Sequence, residues 1–269
     1  MSNYWQERLA ETQAKLTEKT IEETEKQLAK YYSGAMKRTL KSFEQTYNKL
    51  IKALGDGKEP TPADLYKLDR YWQMQGVLRD ELIKLGDKQA RILSNMFMLE
   101  WGNIYESFAW EDTTGIYNRI DKGAVKQIIN SIWCVDGKSW SARVWQNIDR
   151  LQETLNSSFV NCVITGKPLG DIKKQLMRDF NVSFNRADSI VRTEMAHIQT
   201  EAAKQRYKDY GLQEVEILAD ADERRCDVCG KLHGTRYPIG ANIPIPAHPK
   251  CRCCIVPVVE PKKLPFDRG

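Results

Sequence analysis

Five of the chain's seven cysteines crowd its C-terminal end, Cys226 and Cys229 as CDVC and Cys251, Cys253 and Cys254 within HPKCRCC. Thiolates are soft donors, and a Cys-x-x-Cys turn lets two of them share one ion. Gly230, next to Cys229, is expected to let the backbone curl around that ion. His248-x-x-Cys251 repeats the same spacing with an imidazole, and Cys251-x-Cys253 is a rival pair. The candidate ligands are therefore Cys226, Cys229, His248, Cys251 and Cys253, with His233 as an outside candidate. Sulfur plus imidazole in a tetrahedral set selects zinc over calcium or magnesium. Two other readings stay open, a disulfide or redox-labile pairing and free buried thiols.

A catalytic zinc would need an open position and a base. Asp220, Asp222 and Glu223 are near in sequence, but nothing in the pattern sets them over a metal. No βαβ pattern surrounds the CDVC, which argues against a thioredoxin-type redox site. TGKPLG contains Gly-Lys but lacks the earlier glycine of a phosphate-binding loop. Glu194 and His197 stand one helical turn apart, a spacing seen in di-metal helices, yet the chain has no second copy.

The elements that must position these residues fall into two styles. The chain has 269 residues, 41% hydrophobic and 29% charged, enough for a substantial core. No run approaches the roughly 18 apolar residues of a membrane helix, and the charged start lacks the pattern of a secretory signal. The chain is thus expected to be made in a cytoplasm, where clustered cysteines more often bind metal than cross-link. Its net charge of +5 is uneven. From Arg224 onward there are nine Lys/Arg and three Asp/Glu, a balance of +6, which leaves −1 for everything before. All seven Trp lie between Trp5 and Trp145.

The first half reads as long helices. Leu9, Leu16, Ile21, Leu28, Tyr31, Met36, Leu40, Phe43, Tyr47 and Leu50 recur at helical intervals. GDGKEP breaks the pattern, and Thr61, Pro62 and Asp64 have the spacing of a capping box. A second helix is expected to about Lys84 with Gly86 as terminator, and a third from Asp87 to Phe108. AVKQIINSIWCV and WSARVWQNIDRLQETLNSSFVNCVI follow as helices, with Ser139 or Ser141 as cap. Cys134 and Cys162 sit in apolar settings and are expected to be buried and inert. A helix, a short turn at Asn181-Val182-Ser183 and a longer helix come next. That layout admits a DNA-reading helix-turn-helix, although FNRADS offers few base-reading side chains, so an ordinary helical hairpin is favoured. After Gly211 the pattern turns short and β-branched: EVEILADAD reads as a strand and IVPVV as an edge strand, because of Pro257.

The expected fold is mainly α, with long N-terminal helices and a helical bundle followed by a small C-terminal α+β zinc-binding-like module. The expected segments are 1–130, 131–211 and 212–269.

The order DGKSWSARVW, VRTEMAHIQTEA, LADADERRCDVCGKLHG and PIPAHPKCRC resembles the Mu F-like phage head morphogenesis family, the minor head or minor capsid proteins. The resemblance covers about Trp133 to Val259. It rests on Arg192-Thr193-Glu194, Asp222-Glu223-Arg224, Cys226 and Cys229, Gly234, and His248 through Cys253. Two departures are Arg225, where the family commonly has Thr, and the extra Cys254.

The resemblance implies a virion component, at the capsid interior or portal vertex and in host cytoplasm during assembly. It would associate with the portal protein and with other capsid or scaffolding proteins, and act in head morphogenesis and in handling or ejection of packaged DNA. It implies no enzyme and no membrane partner. Arg192, Thr193, Glu194 and Asp222 are read as a structural motif that fixes the small module on the preceding helix. The basic residues Arg224, Arg225, Arg236, Lys250, Arg252, Lys262 and Lys263 are candidates for sequence-independent phosphate contact with double-stranded DNA. The rival readings are a zinc-dependent nuclease with His233 or His248 as base, and a DNA-binding regulator.

Overall fold

The computed structural model describes residues 4–55, 61, 63–64, 69–108, 121–134, 136–219 and 225–259. Six helices stand out among them: α1 (Tyr4–Leu54), α2 (Asp69–Ser107), α3 (Lys122–Ile129), α4 (Trp140–Ile164), α5 (Leu169–Asp209) and α6 (Asp227–Leu232). Three short strands, β1 (Glu214–Leu218), β2 (Arg236–Pro238) and β3 (Cys254–Pro257), form an antiparallel sheet in the order β2-β1-β3. The fold is mainly α with a small C-terminal α+β module, as the sequence indicates.

Helix ends follow local chemistry. Thr61 and Asp64 bond each other's backbone N–H in a reciprocal capping box. Ser139 caps α4 by accepting from Ala142 N. Gly211 closes α5 at a φ of 71°, with the paired bonds Leu212 N to Tyr207 O and Gly211 N to Lys208 O. Those are the two bonds of a Schellman cap, and the left-handed φ is why glycine stands there.

The chain sorts into two compact units, each built from separated stretches. The first comprises residues 25–92 and 133–188. Its core gathers Leu78, Leu82, Leu151, Leu155, Phe159, Leu176 and Phe180, with Phe43 stacked on Phe159 at 4.6 Å. The buried Tyr32 hydroxyl donates to Gln89 and accepts from Asn147, whose amide also donates to the Ser183 carbonyl. Burial pushes the Tyr32 phenol up to about 12.

The second unit comprises residues 1–24, 93–132 and 189–269. Its interior is more polar: Gln6, Gln13, Thr17, Thr20 and Thr24 on α1 are buried, as are Glu100 on α2 and Glu194 and His197 on α5. Thr17 donates to Glu100 at 2.5 Å. Gln13 donates to the Tyr207 hydroxyl, which donates to the Ile255 carbonyl on β3, and Gln6 donates to the Pro257 carbonyl. In the register of β3 against β1, residues 255 and 257 fall at the non-hydrogen-bonded positions, so these two carbonyls point away from β1. Side chains of α1 and α5 therefore satisfy the edge that β3 would leave open. Pro257 and, on β2, Pro238 carry no N–H at outward positions, which blunts both edges further.

Four expectations need correction. Gly86 does not end a helix; α2 runs through it. A Cβ there would lie 2.6 Å from Cζ3 of Trp145, so the glycine makes room for an indole ring. Asn181-Val182-Ser183 is not a turn, and α5 is continuous, which removes both the helix-turn-helix and the hairpin. No Gly or Pro lies between Gly170 and Gly211, and the Ser183 carbonyl, its hydroxyl near Tyr32, and Phe184 edge-on to Tyr32 hold that stretch in helical register. The helix expected through Ser131-Ile132-Trp133 stops at Ile129, where Asn130 caps it. Cys162 is buried as expected, but Cys134 is only half-buried. The patch AWEDTTG and Pro62 lie outside the described residues, and β2 was not anticipated.

Gly86→Ala is expected to destabilise the protein by about 1–3 kcal/mol in urea unfolding, despite alanine's better helix propensity, because the new methyl overpacks Trp145. Gly102→Ala in the same helix meets nothing within 4 Å and should gain up to about 1 kcal/mol. Burial holds His197 neutral, its pKa lowered to about 3 from an ordinary 6.5. The unfolded chain then binds the extra proton first. Stability is fully present above pH 6.5 and falls by roughly 1.4 kcal/mol per pH unit as pH drops toward 3. Glu100, pushed up by burial, acts in the opposite sense. The comparison with His197→Gln isolates the histidine: the variant should lose the acid slope in unfolding measured from pH 7 to 4.

Candidate metal centre

Cys226 opens α6 as its N-cap, and its Sγ accepts from Cys229 N at 3.4 Å. Gly230 N donates to the Cys226 carbonyl, closing the first helical turn. The CDVC thus makes its turn as a helix start, and the two sulfurs end on one side of it. Gly230 is an ordinary helical residue, contrary to the role expected of it. The left-handed glycine is Gly234 at φ 76°, where the chain turns from α6 toward β2. Buried Ile243 and Ile245 anchor the loop that follows.

The turn at His248-Pro249-Lys250-Cys251 brings in the second half of the cluster. Cys251 N donates to the His248 carbonyl. Lys250 is left-handed at φ 61°, and its N–H donates to Thr193 Oγ1 at 3.1 Å. Thr193 donates in turn to the Ser189 carbonyl of α5. The middle residue of the Arg-Thr-Glu motif is therefore a contact between α5 and the cysteine loop. Arg192 pairs with Glu18 of α1 at 3.2 Å, and Glu194 is buried. Asp222 lies outside the described residues.

His248 Nε2 stands 3.3 Å from Cys226 Sγ and 3.1 Å from Cys229 Sγ, and Cys229 Sγ is 3.8 Å from Cys251 Sγ. Two donor triads result, Cys226/Cys229/His248 and Cys229/Cys251/Cys253, with Cys229 in both. Zinc–sulfur bonds of about 2.3 Å at the tetrahedral angle put sulfurs about 3.8 Å apart, and sulfur and nitrogen about 3.6 Å apart. The sulfur pair meets the first value, and the S···N separations fall a few tenths of an ångström short of the second. His248 Nδ1 lies 2.8 Å from the Pro249 carbonyl. A carbonyl only accepts, so Nδ1 carries a proton, which leaves Nε2, the nitrogen facing the thiols, as the one that could ligate a metal.

The electrostatics are compatible with a bound cation. The Cys229 backbone N–H holds the Cys226 thiol below its ordinary value. The Cys253 thiol, with backbone N–H groups, pulls Cys251 down to about 5, while its partnership with ionised Cys251 pushes Cys253 up. Burial pushes Cys229 up to about 11. Thiols this close cannot all ionise unaided, and a divalent ion removes that conflict.

The other candidates separate by position. His233 stands apart, its Nδ1 accepting from Ala219 N at the end of β1. Cys254 belongs to β3, is buried, and joins neither triad. Arg225, Lys250 and Arg252 line the mouth of the cluster. Arg236 pairs with Glu216 across the sheet at 3.0 Å. Arg224, Lys262 and Lys263 lie outside the described residues. What sequence reading missed is the support of β3: Gln6, Gln13 and Tyr207 as its caps. The only sequence signal for the two glutamines is a run of polar residues at helical spacing on α1, which also fits a solvated face.

Residues 153–256 match the family model described as Phage Mu protein F like protein. No curated protein matches, and no solved structure does. The matched stretch contains both triads and the Arg-Thr-Glu motif, and the resemblance read from those residues is to the same family.

Protein purified without chelator or affinity metal should carry about one zinc per chain by elemental analysis. Cys226→Ser and Cys251→Ser should each bring it close to zero, while Cys254→Ser and His233→Ala should retain it.

Proposed function

We propose that this chain, a Mu F-like phage protein through residues 153–256, is a minor head component that associates with the portal and acts in head morphogenesis and in handling or ejecting packaged DNA. The family match carries the reading. Among the described residues no helix is long and apolar enough to cross a membrane, which agrees with a role among other proteins of the particle. The helical units would supply the docking surfaces for portal and capsid or scaffolding partners, and the C-terminal module would fold around one zinc held by Cys226, Cys229, His248 and Cys251. Cys253, the fifth donor, would give its S–H to Cys251.

The role proposed for the metal is structural. When bound it would supply charge neutralisation and cross-linking, joining the start of α6 to the loop before β3. A catalytic zinc keeps a position open, whereas here five protein donors compete for four places. The nuclease reading has less to stand on, since His233 is committed to Ala219 N and His248 offers its lone pair to the cluster. The regulator reading lost its recognition helix when α5 proved continuous.

The test is particle composition. In lysates of cells producing the phage particle, the tagged chain should co-sediment with heads and be recovered with the portal protein after particle disruption. A chain found only in the free fraction, or zinc-loaded protein that cleaves DNA and stops doing so as His248→Ala, would overturn the reading.

A further inference from the structure

We propose that the lysine face of the second half of α1 is a binding surface for the sugar-phosphate backbone of double-stranded DNA. This rests on the head-protein reading above and names the surface by which such a protein holds the packaged genome. From Lys26 to Leu54 the helix carries seven Lys/Arg and one Glu, whereas residues 1–25 carry three Lys/Arg and six Glu. The two signs nearly cancel in the sum but are separated along the chain.

The charges also fall on one side. At about 100° per residue, Lys30, Lys37, Lys41 and Lys52 lie within about 60° of one another around the axis. All four are exposed, and Tyr32, Ala35, Thr39, Phe43 and Leu50 are buried on the opposite side. Glu44, the sole carboxylate of the stretch, is taken up by Lys173 of α5 at 2.8 Å, and Arg38 by Glu81 of α2 at 2.5 Å. Among the described residues no carboxylate pairs with any of the four lysines.

A helix face that only meets water does better with mixed signs, because opposite charges four apart stabilise the helix and like charges destabilise it. In the first half of α1, Glu11/Lys15 and Lys19/Glu23 follow that rule. In the second half, Lys26/Lys30 and Lys37/Lys41 are like-charged four apart, and Arg38/Lys41 and Lys49/Lys52 three apart. A polyanion laid along the face relieves all of these repulsions at once. Lys30 and Lys52 are about 33 Å apart along the axis, close to the roughly 34 Å turn of a B-form duplex. Lysine is a point charge on a flexible stem, which suits contact with phosphates rather than reading of bases. Between the lysines the face holds Gly34, Gln45 and Asn48, with no aromatic ring on which an unpaired base could stack, which favours duplex over single strand.

The experiment uses the full chain and a fluorescein-labelled duplex of about 30 base pairs and arbitrary sequence, read by anisotropy over a range of salt. The quadruple variant Lys30→Gln, Lys37→Gln, Lys41→Gln, Lys52→Gln should weaken binding about tenfold or more at roughly 0.1 M salt, and flatten the slope of log K against log salt by about three. Each of the four single variants, too mild to unfold the helix, should flatten it by about one. The control Lys15→Gln, Lys19→Gln, Lys84→Gln, Lys174→Gln removes the same number of charges elsewhere and should stay within about threefold. Equal weakening in the control would mean that net charge alone attracts DNA, and unchanged binding in the quadruple variant would mean that the face takes no part; either overturns the proposal. A native chain that ignores the duplex but binds labelled poly-glutamate would assign the face to an acidic protein and also overturn it. Co-sedimentation with heads is read separately. A quadruple variant that still joins heads but no longer binds duplex supports the proposal, whereas a native chain that joins heads without binding duplex sinks it and leaves the head-protein reading standing.

Discussion

Four sulfurs and one imidazole nitrogen are packed at the C-terminal end closely enough that they could hold a metal ion. The Cys229 and Cys251 sulfurs are 3.8 Å apart, and His248 sits just over 3 Å from two thiols. The surrounding module has three strands of three to five residues and a helix of six, too little apolar mass to force such groups together unaided. An ion bound there would tie the two halves of the module together. The turn at Lys250, left-handed at φ 61°, sets His248 and Cys251 on the same side as Cys226 and Cys229.

The module also leans on residues far from it in sequence. β3 has its inner face on β1 and its outward carbonyls on Tyr207 of α5 and Gln6 of α1, and Gln13 of α1 holds the Tyr207 hydroxyl in place. Thr193 of α5 braces the turn that carries His248 and Cys251. The segment matched to the family thus depends on N-terminal residues outside the match, and the buried polar stripe of α1 exists to meet it. A polar interior of this kind specifies one register of contacts more sharply than an apolar one would, because each misplaced group would leave a buried partner unsatisfied.

Much of the fold could be read from residue order. Helical spacing located α1 and α4, the Thr61/Asp64 and Ser139 caps were visible as motifs, and β-branched alternation with Pro257 marked an edge strand. The failures share a cause. Gly86 and Asn181-Val182-Ser183 look like breaks locally, and both lie inside helices because tertiary neighbours decide: an indole ring fills the space over the glycine, and Asn147 and Tyr32 hold the Ser183 turn. Ligand types were legible from Cys-x-x-Cys and His-x-x-Cys spacing. The sharing of Cys229 between the triads and the partner through which Thr193 holds the cysteine loop were not, since they depend on residues 19 to 57 positions apart meeting in space.

The central claim is that the cysteine–histidine cluster is a four-coordinate zinc staple. X-ray absorption at the zinc edge of protein purified without added metal tests it most directly. The account predicts three sulfurs at about 2.3 Å and one nitrogen at about 2.0–2.1 Å. Absence of zinc from protein whose cysteines are paired as disulfides, or a first shell of oxygens, would contradict it.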